Sequence, residues 1–212
     1  MFRDRQEAGR LLGKRLVELK LDRPVILALP RGGVPVAAEV ARALRAPIDV
    51  LLVRKLGVPH NPEFAFGAIG EDGARVINAH IVHQLRISAD DIAEVESRER
   101  AELLRRVKRY RGDAPPLTLT GRTIVIVDDG LATGATARVA VDVVRRRGAG
   151  SVIVAVPVAP PEAVDELSSV SDEVISLLVP GAFRAVGEWY VHFNQTTDEE
   201  VTSLLREAAA RE

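Results

Sequence analysis

A chain of 212 residues, 47% hydrophobic and 28% charged, is long enough to bury the core of one globular domain. Its formal net charge of -1 excludes a global basic field for nucleic acid or anionic lipid. The absence of Cys excludes disulfides and thiolate metal sites. Between Met1 and Lys20 the charges at Arg3, Asp4, Arg5, Arg10, Lys14 and Arg15 break up any apolar leader, and no apolar run reaches membrane-spanning length. The expectation is a soluble cytoplasmic protein.

In chain order, Asp4 followed by Glu7 predicts a capping-box helix start, and Ala8, Leu11, Leu12, Leu16 and Leu19 continue with helical spacing. Val25 to Leu29 is a short apolar strand ended by Pro30-Arg31-Gly32-Gly33, and Val36 to Leu44 reads as a helix. Ile48 to Val53 predicts a second strand that Arg54-Lys55 would end, opening a loop through Gly57, Pro59, His60, Asn61 and Pro62. Glu63 to Ile69 and Arg75 to Ile77 read as strands around a turn at Glu71-Asp72-Gly73. Ser88 with Asp91 opens a long polar helix to about Tyr110, with favourable pairs at Glu94/Arg98, Glu96/Arg100 and Glu102/Arg106. Balanced in this way, its arginines suit a solvated face or a dimer contact better than nucleic acid.

Thr123 to Val127 predicts a buried strand, followed by a loop and a helix to about Arg147 with Gly148 to Gly150 as its cap. Val152 to Val158 and Val174 to Val179 are further strands with a short helix from Pro161 between them, and a closing helix begins at Asp198. Wholly apolar strands alternating with helices predict an α/β fold, a mostly parallel sheet covered on both faces. Ligands in such sheets sit beyond the carboxyl ends of the strands, so function is sought in the loops after Leu29, Val53, Val127 and Val179.

The loop after Val127 reads Asp128-Asp129-Gly130-Leu131-Ala132-Thr133-Gly134-Ala135-Thr136. Adjacent carboxylates at a strand end suit a vicinal diol or a hydrated Mg²⁺. The small residues that follow expose backbone N–H groups and lead into a helix N-terminus, whose dipole favours phosphate. The loop lacks the Lys of a P-loop, and its carboxylates stand where a dinucleotide fingerprint has glycines. His80 and His83 are too isolated to be a metal pair, and Trp189, Tyr190 and Phe193 are read as core.

Thr123 to Thr136 resembles the 5-phosphoribosyl 1-pyrophosphate (PRPP) binding motif of type I phosphoribosyltransferases. The resemblance extends over about Pro24 to Leu178, without clear inclusion of the 88–110 helix. It implies that Asp128 and Asp129 take the ribose hydroxyls, and that Ala132, Thr133, Gly134, Ala135 and Thr136 take the 5-phosphate. Leu29-Pro30-Arg31-Gly32-Gly33 resembles the family's pyrophosphate loop, and Arg54-Lys55 resembles the start of its flexible catalytic loop. Phe183-Arg184-Ala185-Val186-Gly187 resembles the hood segment in which Phe183 would stack on a base.

On that resemblance the chain is one domain, 1–212, with a hood from about 180–212 and the N-terminal helix. The implied reaction moves ribose 5-phosphate from PRPP to a nucleobase-like acceptor and releases pyrophosphate. Arg31, Lys55, Asp128 and Asp129 would be catalytic. Mg²⁺ would be held through PRPP and water, with Asp128 and Asp129 as added ligands. The implied assembly is a homodimer. Two positions depart from the pattern. Gly130 replaces an apolar residue and is expected to loosen the loop. Ala132 stands where 6-oxopurine enzymes carry an Asp, so the acceptor is open, as in bacterial phosphoribosyltransferase-like proteins of unassigned substrate. The alternative is a PRPP-sensing regulator without turnover.

Overall fold

The computed structural model describes residues 1–59 and 61–210. Five strands form a parallel sheet in the order β2-β1-β6-β7-β8: β1 (Pro24–Ala28), β2 (Ile48–Val50), β6 (Thr123–Val127), β7 (Ser151–Val158) and β8 (Glu173–Leu178). These are the Val- and Ile-rich runs of the sequence, as expected of strands buried on both faces. Side chains alternate between faces along each strand. Ile26 and Ala28 point into one core with Val125 and Val127, while Val25 and Leu27 point into another with Ile124 and Ile126.

The first core is closed by α1 (Arg5–Val17), α2 (Gly33–Leu44), α4 (Ala89–Arg111) and α7 (Asp198–Ala209), and the second by α5 (Ala135–Arg146) and α6 (Pro161–Ser168). Helix α1 lies close on α2 because Gly9 and Gly13 face it. A Cβ on Gly9 would meet the Val36 carbonyl at 2.6 Å, and one on Gly13 would meet Ala43 Cβ at 2.8 Å. That close approach brings the first turn of α1 to the carboxyl end of the sheet.

From β1 the chain crosses through α2 to β2 on one side, and from β6 through α5 to β7 on the other. The adjacent strands β1 and β6 therefore flank a topological switch point, the usual ligand crevice of open α/β sheets.

A second, antiparallel sheet contains β3 (Val53–Val58), β4 (Asn61–Gly70) and β5 (Arg75–Ile77), followed by α3 (Ala79–Gln84). It corrects the sequence reading. The parallel strand ends at Val50, and Arg54 and Lys55 lie inside β3 instead of at a strand end. The apolar run Ile48 to Val53 contains no Gly or Pro to mark the change of sheet at Leu51-Leu52. The expected loop from Gly57 to Pro62 is instead the end of a β3–β4 hairpin, and His60 lies outside the described residues.

In α4 the Ser88–Asp91 capping box forms, and Arg100–Glu96 and Arg106–Glu102 pair at 3.1 and 2.7 Å. Arg98 approaches Glu99 at 3.4 Å instead of Glu94. Among the described residues no helix is long and apolar enough to cross a membrane.

Candidate active site

Two loops meet at the switch point. After β1, Arg31-Gly32-Gly33 turns into α2, with a cis peptide between Pro30 and Arg31. After β6, Asp128-Asp129 leads toward α5. The glycines permit the contact between them. A Cβ on Gly32 would fall 2.0 Å from Asp129 Oδ2, and one on Gly33 would fall 2.7 Å from the Val127 carbonyl oxygen.

Asp128 Oδ1 accepts the Asp129 N–H at 2.8 Å. Burial, and then the charge of Asp129, push the Asp128 carboxyl well above the usual carboxylate range. Burial also raises Asp129, while Arg5 opposes that shift. Arg5 Nε donates to Asp129 Oδ2 at 2.8 Å, with both side chains largely buried. Its Nη1 donates to the Asn194 carbonyl at 2.7 Å, and its Cζ lies 3.9 Å from the Phe193 ring centre. The Tyr190 hydroxyl donates to the Asp129 carbonyl at 2.5 Å. A crevice of about 370 Å³ opens here, lined by Arg5, Arg31, Gly32, Asp129, Phe193 and the Gln195-Thr196 pair.

Farther along the loop Gly134 adopts a left-handed φ of 72° as the N-cap of α5, and Thr133 Oγ1 accepts the Ala135 N–H at 3.4 Å. Ala132, Thr133 and Thr136 are exposed beside that helix N-terminus, where the dipole favours an anion. Gly130 is buried, and a Cβ there would meet Val186 at 2.6 Å and Val158 at 3.0 Å. The glycine does not loosen the loop as expected; it lets Val186 pack against it.

A profile described as "Phosphoribosyl transferase domain" matches residues 4–188. The chain belongs to that family. It is 51% identical over 208 residues, 98% of its length, to "Putative phosphoribosyl transferase Rv0571c" of Mycobacterium tuberculosis strain H37Rv. The chain spans about half, 47%, of the length of that curated relative. The crystal structure of TT1426 from Thermus thermophilus is 48% identical, with 98% of both chains covered and a TM-score of 0.89. The AQ2163 protein of Aquifex aeolicus, 14% identical over 86% of this chain and 78% of its own, shares the fold at a TM-score of 0.53.

Against the family pattern, the structure lines one crevice with Arg31, Gly32 and Asp129, packs Gly33 against Asp128 beside it, and carries Ala132 to Thr136 on the same loop as the two carboxylates. Arg54 is not among them, because its Nε and Nη2 both donate to Glu99 of α4, at 2.8 and 2.5 Å. Lys55 is exposed and lines a separate groove of about 590 Å³ with Phe64, Val76, Arg138 and Ala135, the first residue of α5. Phe183 is half-buried in the irregular segment after β8, and the aromatic ring in the crevice is Phe193. Phe193 is thus not a core residue, whereas Tyr190 is.

Sequence reasoning missed Arg5, Tyr190 and Asp198. Asp198 Oδ1 accepts the Tyr110 hydroxyl at 2.5 Å, its Oδ2 lies 3.0 Å from Arg109 Nε, and Arg31 Nη1 is 4.0 Å away. That Tyr110 bond is the main cause holding the Asp198 carboxyl low, and burial followed by Asp198 pushes the Tyr110 phenol up to about 12. The long helix is thereby linked to Arg31. Helical position alone gives no sign of this.

The charge balance at Asp128 also bears on stability. The folded Asp128 carboxyl titrates above its unfolded value, so its ionised form costs folding free energy at neutral pH and costs nothing in acid below the unfolded pKa. Asp128→Asn keeps an acceptor for the Asp129 N–H. It is expected to raise the melting temperature of the ligand-free protein at pH 7 by about 2–4 °C, the shift that about 1 kcal/mol gives in a domain of this size. The gain should shrink toward pH 3. Scanning calorimetry at both pH values measures it, and an equal gain at both would remove the charge explanation.

Proposed function

We propose that this chain is a Mg²⁺-dependent phosphoribosyltransferase that moves ribose 5-phosphate from PRPP to a nucleobase-like acceptor. The observation that carries the reading is the meeting of the Gly32-Gly33 turn with the Asp128-Asp129 pair, on the same loop as the α5 N-terminus. Together they offer an oxyanion-accepting turn, a diol-accepting carboxylate pair and a phosphate-favouring helix end. Those are the three parts of PRPP in their covalent order.

In the proposed step the acceptor nitrogen bonds to C1 as the C1–oxygen bond to pyrophosphate breaks, and the proton of the acceptor N–H passes to solvent. The protein's contribution is positioning and charge stabilisation. Arg31 pairs with departing pyrophosphate oxygens, and Asp128 and Asp129 hold the ribose hydroxyls. Lys55, in the groove that reaches Ala135, supplies a cation from the hairpin side.

Among the described residues no cluster of three or more His, Asp or Glu side chains could hold a metal by itself. Mg²⁺ typically binds through one or two carboxylates together with substrate phosphates and water, so the Asp128-Asp129 pair fits an ion that arrives with PRPP. When bound, it would offset charge on the pyrophosphate. Ala132 supplies no carboxylate to an acceptor, which argues against a 6-oxopurine preference.

The test is calorimetry of PRPP binding with Mg²⁺, followed by a nucleobase screen for pyrophosphate release. Binding with turnover on at least one base is expected. PRPP binding without turnover on any base would favour a PRPP-sensing protein. Absence of PRPP binding would remove the reading altogether.

A further inference from the structure

Asp129 is held from outside its own loop. Arg5, from the first turn of α1, donates to Oδ2, and Tyr190, from the C-terminal segment, donates to the backbone carbonyl. These two donors belong to one unit. Phe2 N–H bonds the Trp189 carbonyl at 2.8 Å, Val191 N–H bonds the Phe2 carbonyl at 2.8 Å, and His192 N–H bonds the Arg3 carbonyl at 2.9 Å. The rings of Phe2, Tyr190 and Phe193 follow one another with centres 5.5 and 5.1 Å apart, and the Arg5 guanidinium lies against Phe193. With the Asn194 carbonyl as a further acceptor, the Arg5 side chain is only 11% exposed.

A freely exposed ion pair is worth little, because two mobile side chains must be ordered to make it. Arg5 is already ordered, by a ring, a carbonyl and burial. Its bond to Asp129 therefore transmits a fixed orientation. The torsion that turns a carboxylate about its last bond is otherwise broad. An ionised carboxylate also has about four lone-pair sites. Arg5 uses one on Oδ2. With its own backbone N–H and the Asp128 carboxyl also close, the Asp129 carboxylate keeps its remaining sites for a diol. The arginine supports ribose binding without occupying its place.

We propose that Arg5 is a positioning residue for ribose recognition, holding the Asp129 carboxylate in one rotation through the pairing of residues 2–5 with residues 189–194. The inference rests on the phosphoribosyl reading above and adds to it a residue from the N-terminal segment.

The experiment compares the dissociation constants of PRPP and of inorganic pyrophosphate, both with Mg²⁺, in the unsubstituted protein, in Arg5→Ala and in Arg5→Lys. Arg5→Ala is expected to weaken PRPP at least tenfold and to leave pyrophosphate, which has no ribose, within twofold. Ethylguanidinium added to Arg5→Ala is expected to restore part of the PRPP affinity, which a purely structural loss would not allow. Arg5→Lys keeps the charge but not the planar fork, and should fall between. If Arg5→Ala does not fold, Phe193→Leu carries the test, since it removes the ring beside the guanidinium and should weaken PRPP selectively. Equal PRPP affinity in the unsubstituted and Arg5→Ala proteins, or equal loss of PRPP and pyrophosphate, would overturn the role of Arg5 alone. No PRPP binding by the unsubstituted protein would overturn the phosphoribosyl reading and this role with it.

Discussion

Arg111→Ala is expected to lower the unfolding free energy by about 3–5 kcal/mol, the range found when one partner of a buried ion pair is removed. Arg111 is the last residue of α4, and its side chain is 6% exposed. It pairs with Asp49 of β2 at 2.8 Å and with Glu71 in the turn after β4, and it donates to the Val50 carbonyl at 3.1 Å. Burial works against its charge, but the two carboxylates more than offset this and raise its pKa above the ordinary value. Without the guanidinium, two buried carboxylates would face each other with only single backbone donors, the N–H groups of Val50 and Leu52. Arg111→Met combined with Asp49→Asn and Glu71→Gln removes all three charges and should recover much of the loss. Urea unfolding at pH 7 measures both, and a loss below about 1 kcal/mol for Arg111→Ala would show that water already solvates the cluster. The same cluster fixes where the chain leaves β2 for the antiparallel sheet, and so where Lys55 is carried.

The parallel sheet was legible because most of its strands are apolar runs such as Thr123 to Val127, soon closed by charged or Pro residues, with β2 the exception. The strand-to-helix turn after Val127 was legible because Asp, Gly and Thr have steric and hydrogen-bonding reasons to occur together at such a turn. The antiparallel sheet was misread where no local residue marks its start, at Leu51-Leu52. Arg54 was drawn into the site because it neighbours Lys55, yet its partner is Glu99, which lies 45 positions along the chain.

Arg5 shows the limit most plainly. Locally it is one of several basic residues at the start of an amphipathic helix, and its partner Asp129 is 124 positions away. The one local trace was Gly9 and Gly13, a pair of small residues on one helix face. They permit a close helix contact without naming what that contact brings into place. Gly130 failed in the same way, since its reason for being small is Val186.

Asp129→Asn is expected to weaken PRPP binding by about 1.5–3 kcal/mol, the range for hydrogen bonds to charged groups, or roughly tenfold to a hundredfold or more. The substitution keeps the outline that fits against Gly32 but removes the charge that both Arg5 and the proposed ribose hydroxyls would use. It differs from Asp128→Asn in a way that separates their roles. Asp128 is pushed toward its neutral form by burial and then by the charge of Asp129, so its neutralisation should stabilise the empty protein. Asp129 is also raised by burial, but its ion pair with Arg5 opposes that shift, so its neutralisation should stabilise the empty protein less than that of Asp128 does. Both substitutions should weaken PRPP. Stability and binding should therefore change in opposite directions at both positions, with the smaller gain in stability at Asp129. Calorimetric Kd values with Mg²⁺, set beside melting temperatures of the ligand-free proteins, read both signs at once. Unchanged PRPP affinity in Asp129→Asn would take that carboxylate out of the ribose site. A gain in stability at Asp129 as large as that at Asp128 would show that Arg5 does not depend on it.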